Sequence, residues 1–361
     1  MNLKGNFIKK KNKRKKNKKF NLKFLKIKRI KTLYKFYKKK FMKEILKIKS
    51  DILKYSFYYF FDRDFVYLPG KGISPVTGSC ESVANIFLVK DDKKFLPLAQ
   101  TAQLFLEELI IKNNIIRSFT SNRSFRKDNK DYVGNDGRHL NDFELLEVEV
   151  LDMDLYGLIS LSSEFLIYVF DSVLTSNYKY LPKESVKMLE KDISQGFKVV
   201  RYKDCIDILK DEGERVEFGD DLTSHYEQKL VNYFNSNLMI THYPEKIKFF
   251  NMKITRDENF NTEIQTVDCV DVILRFSGET IGGSEREYDY NILRDRLFNG
   301  TMIKQLKMLK EEFDGKPDEI DKEFEGYLNL FKDGIHKRSG FGLGFGRLAQ
   351  YILSSPTIID F

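Results

Sequence analysis

The chain has 361 residues, 42% of them hydrophobic, which suits one large domain with an appendage and argues against global disorder. Its net charge of +9 is uneven: residues 1–50 carry 22 Lys/Arg against one acid, Glu44, while the remainder carries 40 basic and 52 acidic groups. Three scattered cysteines (Cys80, Cys205, Cys269) argue against a disulfide framework and a structural zinc site, and no apolar run suggests a membrane span.

Residues 1–20 are Lys/Asn-rich low complexity and are predicted to be disordered. From Phe20 to Phe61 apolar residues recur at helical spacing among lysines (Phe24, Leu25, Ile27, Ile30, Leu33, then Ile45, Ile48, Ile52), which predicts one or two basic amphipathic helices. Three readings of that head stay open. It is a helix packed on the body, a nucleic-acid contact, or a membrane-surface helix. The compartment expected is cytoplasmic. An organellar presequence is the alternative, although the head is Lys-rich rather than Arg/Ser-rich.

From Phe65 onward short β-type runs alternate with helical stretches. Strands are predicted at Phe65–Leu68, Ile86–Val89, Phe95–Leu98, Ile115–Phe119, Asp142–Val150, Ile247–Ile254 and Thr266–Phe276. Helices are predicted at Thr101–Asn113, Leu155–Thr175, Lys183–Gln195 and through Tyr290–Phe331. A Gly-rich strand then runs into a helix over Ser339–Ile352. Few strands are separated by regular helices, so the expectation is α+β: a mostly antiparallel sheet with flanking helices.

Three segments carry candidate chemistry. The polar loop Arg126–Arg138 has guanidiniums suited to bidentate phosphate contacts, with Gly134 and Gly137 permitting tight turns. Asp271 and Glu279 are eight apart. On extended chain that spacing puts both carboxylates on one face, which suits a Mg²⁺–nucleotide site. In SGFGLGFGRLAQYI, Gly340, Gly342, Gly344 and Gly346 strip one strand face for a flat ligand, and Arg347 follows where it can stack on that ligand. No GxxxxGK[ST] is present, so an ATP site here is not a P-loop.

Taken together, FRKD at 125–128, GRHLNDF at 137–143, GETIGGSERE at 278–287 and SGFGLGFGR at 339–347 resemble the core of the class II aminoacyl-tRNA synthetases. The likeness is to the asparaginyl type within the aspartate/asparagine/lysine group. TGSCES at 77–82, AQTAQLFLEEL at 99–109, VEFGDDLTSHYE at 216–227 and HYPEKIKFFNMKI at 242–254 have asparaginyl-type counterparts. DGRHLNDF is also similar to the free-standing archaeal asparagine synthetases.

The resemblance implies a Lys-rich extension over 1–50 and a class II catalytic domain over 51–361, with no anticodon-binding barrel. It implies an ATP- and Mg²⁺-dependent ligase that forms an aminoacyl adenylate. Arg126 would hold the α-phosphate and the substrate carboxylate. Arg138 would hold the γ-phosphate end with His139 beside it. Asp128, Asp142, Glu279 and Gly344 complete the implied ATP site, and Arg347 stacks on adenine. Asp271 and Glu279 would carry Mg²⁺. Glu81, Gln100, Gln103, Glu107, Phe331 and Arg338 would line the amino-acid pocket, Glu81 through the α-ammonium. Ser284, Glu285 and Arg286 would lie beside the metal carboxylates. A homodimer through Asp51–Ser79, with Pro75 as the family proline, is implied as well, and tRNA is a partner candidate for the basic head.

Several positions depart from the family pattern. The Arg that reads the amino-acid side chain stands here as Phe331. The His before the Gly pair is Arg338, and the Glu before the final Arg is Gly346. Leu106 replaces the aspartate-reading Lys, which is the asparaginyl pattern. The altered pocket raises two further expectations: a truncated paralogue, and Lys332 or Arg338 compensating for the lost Arg. Amidation of aspartyl adenylate and a non-catalytic tRNA- or partner-binding protein are the alternatives.

Overall fold

The computed structural model describes residues 42–74, 83–91, 94–127, 140–257, 264–312 and 316–358. The expected disordered start, the basic helices as far as residue 41, and Pro75 lie outside the described residues. The chain forms two compact units, Met1–Asp51 and Ile52–Phe361. In the first, residues 42–51 are helical.

The second unit opens on helix α1 (residues 52–61). Its sheet has eight strands: β1 Val66–Tyr67, β4 Arg117–Phe125, β5 Asp142–Leu151, β6 Lys198–Arg201, β7 Leu238–Thr241, β8 Cys269–Leu274, β9 Gly278–Glu285 and β10 Arg338–Gly344. Strands β2 (Leu88–Asp91) and β3 (Lys94–Pro97) pair separately. The spatial order is β1-β4-β5-β10-β9-β8-β7-β6. Only the outer pairs, β1/β4 and β6/β7, are parallel. The antiparallel centre is the one expected, and the described residues form no barrel.

Register assigns the two faces of the sheet. Leu146, Leu343, Ile281 and Val272 pair in one row across β5, β10, β9 and β8. All four are buried, and the face they share packs on helix α3 (Leu155–Asn177), whose Phe165 ring lies 6.1 Å from Phe341. Side chains alternate along a strand, so the neighbouring row Glu147–Gly342–Gly282–Asp271 points the opposite way. That second face carries the cavity described below.

Helix α3 is long and apolar enough to cross a membrane, by length and composition alone. In this fold Leu158, Phe165, Leu166, Val169, Phe170 and Val173 are buried, the side chains of a core helix. Asp154 caps it by accepting the Gly157 N–H at 2.8 Å. On α1, Phe60 stacks at 4.9 Å on both Phe119 and Phe165. This aromatic contact ties α1 to β4 and α3.

Two expectations are corrected, and a third, the helical region Tyr290–Phe331, holds and resolves into its elements. Ile247–Ile254 is not a strand: it holds the end of a short 3-10 turn and isolated bridges from Met252 and Ile254. Tyr290–Phe331 is three helices, α7 Tyr290–Asn299, α8 Thr301–Glu312 and α9 Asp318–Leu328, ending on a 3-10 turn. Gly346 belongs to helix α10 (Phe345–Ile352), not to the strand.

The close approach at Gly340 gives a direct test. A Cβ there would fall 2.3 Å from the backbone oxygen of Val148 and 2.2 Å from the Glu149 carboxylate. Backbone cannot yield cheaply, so Gly340→Ala should lower stability by about 1–3 kcal/mol in urea unfolding. An unchanged midpoint would contradict the packing described.

Candidate active site

The cavity occupies about 240 Å³ above the glycine row of β9 and β10. Gly342 and Gly282 leave its floor bare, flanked by Glu147 on β5 and Asp271 on β8. Glu279 reaches the same face by a different route. Ile281 pairs with Val272 and Glu279 with Ile273, so β9 carries one extra residue at Thr280. That bulge turns an odd-numbered side chain toward an even-numbered face. A Cβ on Gly282 would meet Glu279 Oε1 at 2.7 Å and Asp271 Oδ1 at 3.7 Å. The two carboxylates therefore share a face through a bulged hairpin, not through the even spacing read from the sequence.

Cations line the same space. Arg126, just past β4, lays its guanidinium 4.9 Å from the Phe143 ring centre. Arg347, in the first turn of α10, donates to the backbone oxygen of Glu279. Lys248 donates to Asp271 Oδ2 at 2.6 Å, with its ammonium 4.0 Å from the Tyr243 ring centre. Burial works against the charged lysine, but Asp271 outweighs it and holds Lys248 above its ordinary value. Burial pushes Asp271 up to about 6, with Lys248 opposing. The two are an ion pair at neutral pH.

Beneath one end of the cavity lies a second layer of buried charge. Glu107, on α2 (Gln103–Asn113), is fully buried. It accepts from Arg338 Nε at 2.7 Å, Tyr327 Oη at 2.7 Å, Gln103 Nε2 at 2.9 Å and Asn251 Nδ2 at 3.1 Å. Burial would raise its carboxyl, but Arg338 and then Arg286 overcome that and hold it low. Arg286 also donates to Glu149 at 2.5 Å. Burial pushes Glu149 up to about 7 even so. Glu147 accepts the Ala102 N–H at 2.8 Å and a Thr101 hydroxyl, which fixes the start of α2.

The sequence-predicted residues divide as follows. Arg126, Gln103, Asp271, Glu279, Gly344 and Arg347 come together at the cavity. Glu107 and Arg338 lie beneath it, and Arg338 stacks 4.3 Å from the Phe331 ring centre. Phe331 packs in the apolar cluster of α7–α9 rather than against the open space. Gln100 and Leu106 are buried, and Asp142 pairs at the surface with Arg123. Ser284 accepts from Arg286, whereas Glu285 turns away to Lys253 and a wider cleft of about 700 Å³. Lys332 lies over Tyr290. Glu81, Asp128, Arg138 and His139 lie outside the described residues. Sequence reasoning missed Lys248, Glu147, Glu149, Tyr327 and Asn251. A lysine inside an apolar run, in KIKFFNM, was the available signal for Lys248.

Among the described residues no group of three or more His, Cys, Asp or Glu side chains is placed to hold a metal. Two converging carboxylates fit Mg²⁺, a hard cation that takes one or two protein carboxylates and completes its shell with water and substrate phosphates.

The model of the family described as tRNA synthetases class II (D, K and N) matches residues 26–361. An asparagine–tRNA ligase of Pyrococcus horikoshii is 34% identical over 284 residues, covering 77% of this chain and 58% of that protein. One from Clostridium tetani is 27% identical over 349 residues, covering 88% and 68%. The chain thus spans about three fifths of the length of the archaeal relative. The crystal structure of asparaginyl-tRNA synthetase from Pyrococcus horikoshii complexed with asparaginyl-adenylate superposes with a TM-score of 0.72 at 28% identity, covering 88% of this chain and 66% of that one.

The Arg338–Glu107 pair gives a second prediction. Arg338→Leu leaves a buried carboxylate without its main partner and should cost about 3–5 kcal/mol in urea unfolding. The double variant Arg338→Leu/Glu107→Leu removes both charges and should be more stable than the single one. A double variant less stable than the single would contradict the pairing.

Proposed function

The chain belongs to the class II tRNA synthetase family of the aspartate, lysine and asparagine enzymes, and on that premise we propose that it activates asparagine, or a close uncharged analogue, with ATP and passes the acyl group to an acceptor. The observation that carries this reading is the convergence of Arg126, Arg347, Asp271 and Glu279 on one cavity floored by glycine. Attack of a carboxylate on the α-phosphorus brings like charges together. The protein's task is then to fix cations and hold the reactants in line, not to supply a general base. On this reading Arg126 would hold the reacting anions, and Arg347 would stack on a base entering over Gly344. Divalent metal bound at Asp271 and Glu279 would neutralise charge on the polyphosphate.

The amino-acid end of the cavity supports an uncharged side chain. Glu107 is already matched by Arg338, and Glu149 by Arg286. An aspartate would bring one more negative charge to cations already paired. We infer tRNA as the acceptor, with the 22 Lys/Arg of residues 1–50 supplying phosphate contacts that set affinity and not identity. We infer also a homodimer through α1 and β1. Tyr58, Phe61, Val66 and Tyr67 are exposed there, and among the described residues β1 has a partner strand on one side alone.

Amino-acid-dependent ATP–pyrophosphate exchange tests the chemistry. Asparagine should support exchange and aspartate should not. Arg126→Ala should lower the rate by about 10²–10³-fold. Exchange with aspartate, with ammonia-dependent release of asparagine, would replace this reading by amidation. No exchange with any amino acid would leave a binding protein.

Sedimentation tests the assembly. The wild-type chain should run as a dimer and Phe61→Asp/Tyr67→Asp as a monomer. A wild-type monomer would remove the interface.

A further inference from the structure

Lys248 lines the cavity, the proposed chemistry leaves it without a task, and its setting is unusual. Its side chain is 14% exposed, and that of Asp271 is 7%. The ammonium is fixed by Asp271 Oδ2 at 2.6 Å and by the Tyr243 ring face. The other oxygen, Oδ1, is the one that converges with Glu279 over Gly282. One carboxylate is thus divided between a built-in monovalent cation and the place where a divalent one fits.

We propose that Lys248 is a specificity-determining residue that sets the carboxylate pair against free divalent cations and in favour of a cation carried in by the nucleotide. This rests on the metal–nucleotide reading above. Asp271 and Glu279 alone present two negative charges. With Lys248 in contact they present one. A free Mg²⁺ meets half the charge it would otherwise find. Once the ion is bound the local balance is positive rather than neutral, and a polyphosphate is drawn to it. The lysine therefore couples the two ligands: metal holds well only when phosphate accompanies it. A unit charge a few ångströms from the ion is worth more than about tenfold in affinity even at strong screening.

The location suits this task. Lys248 follows a 3-10 turn, Glu245–Ile247, and sits in extended conformation beside the sheet. Arg296 anchors the turn by donating to Glu245 at 2.8 Å and to the Phe249 carbonyl at 3.0 Å. The backbone on both sides of Lys248 is thus anchored, which keeps its ammonium within reach of Asp271.

Mn²⁺, read by the electron paramagnetic resonance of the free ion, tests the inference on the full chain without turnover. The wild-type protein should bind Mn²⁺ weakly alone and at least tenfold more tightly with the β,γ-imido analogue of ATP. Lys248→Met should bind Mn²⁺ alone at least tenfold more tightly than wild type, and the gain from the nucleotide should shrink. Lys248→Arg should behave as wild type. Lys248→Gln serves as the second neutral variant, with thermal unfolding showing which variants are folded. Asp271→Asn in the Lys248→Met background should abolish the added affinity. If neutral variants bind Mn²⁺ no more tightly than wild type, while Asp271→Asn still weakens the Mn²⁺–nucleotide complex, this inference is overturned and the metal site stands. If Asp271→Asn leaves that complex unchanged, the metal reading fails and the inference falls with it.

Discussion

Arg338, Glu107, Arg286 and Glu149 are four charges taken almost wholly out of water, and they join four elements of the fold. Glu107 comes from α2, Glu149 from β5, Arg338 from β10, and Arg286 follows β9 directly. Each arginine meets a carboxylate at 2.5 Å, and Arg286 lies 3.9 Å from Glu107 as well. Desolvating such groups is expensive, and the cost is met only when every lone pair and N–H finds a partner. Further partners here include Tyr327, Gln103, Asn251, Ser284 and the carbonyls of Glu287 and His336. Apolar packing alone tolerates small slips. This network does not, because a slip leaves a buried charge exposed to nothing.

The cavity inherits its precision from that layer. Gln103 lines the open space and is also a donor to Glu107. Gly340 lies so close to Glu149 that the carboxylate fills the position a Cβ would take. Two residue pairs along, Gly342 faces Gly282, and the floor opens. The same glycine-rich run thus does two different things. At Gly340 the missing side chain admits a structural carboxylate, and at Gly342 it leaves the cavity floor bare. The bulge at Thr280 adds the final element by bringing Glu279 around to Asp271.

Much of this was legible in the sequence, and the limits have physical reasons. Helices with strong periodicity, such as Leu155–Thr175 and Lys183–Gln195, and the strands around the Gly run stand in the structure close to their expected bounds. The four motifs identified the cavity because they carry chemistry that few other arrangements need. Strands β6, β7 and β9 and helices α5 (Tyr202–Asp211) and α6 (Ser224–Phe234) were not among the expected elements. Most are short, and β6 is an exposed edge with a single buried residue. Ile247–Ile254 has strand-like composition, yet its residues are fixed by Arg296 and by single bridges instead of a ladder. Glu147 and Glu149 read as the polar face of an ordinary amphipathic strand. Alternation reports that two side chains share a face and not what covers that face.

Phe331, expected in the amino-acid pocket, packs beside the Arg338–Glu107 pair instead. Read by position, an arginine replaced by phenylalanine empties a pocket of charge. In three dimensions Arg338 lies against the Phe331 ring, with its guanidinium plane available for stacking and its donors turned to Glu107. Arg338, from β10, holds its guanidinium beside Glu107. The ring shields that ion pair from the side of the helical cluster, where Tyr327 and Phe324 also pack. Shielding strengthens the pair and makes it harder to break. A charge held this firmly is poorly suited to release its partner for an incoming ligand. The Arg338–Glu107 pair accordingly shapes that end of the cavity by its fixed field and its volume, while Arg126 and Arg347 meet the open space directly.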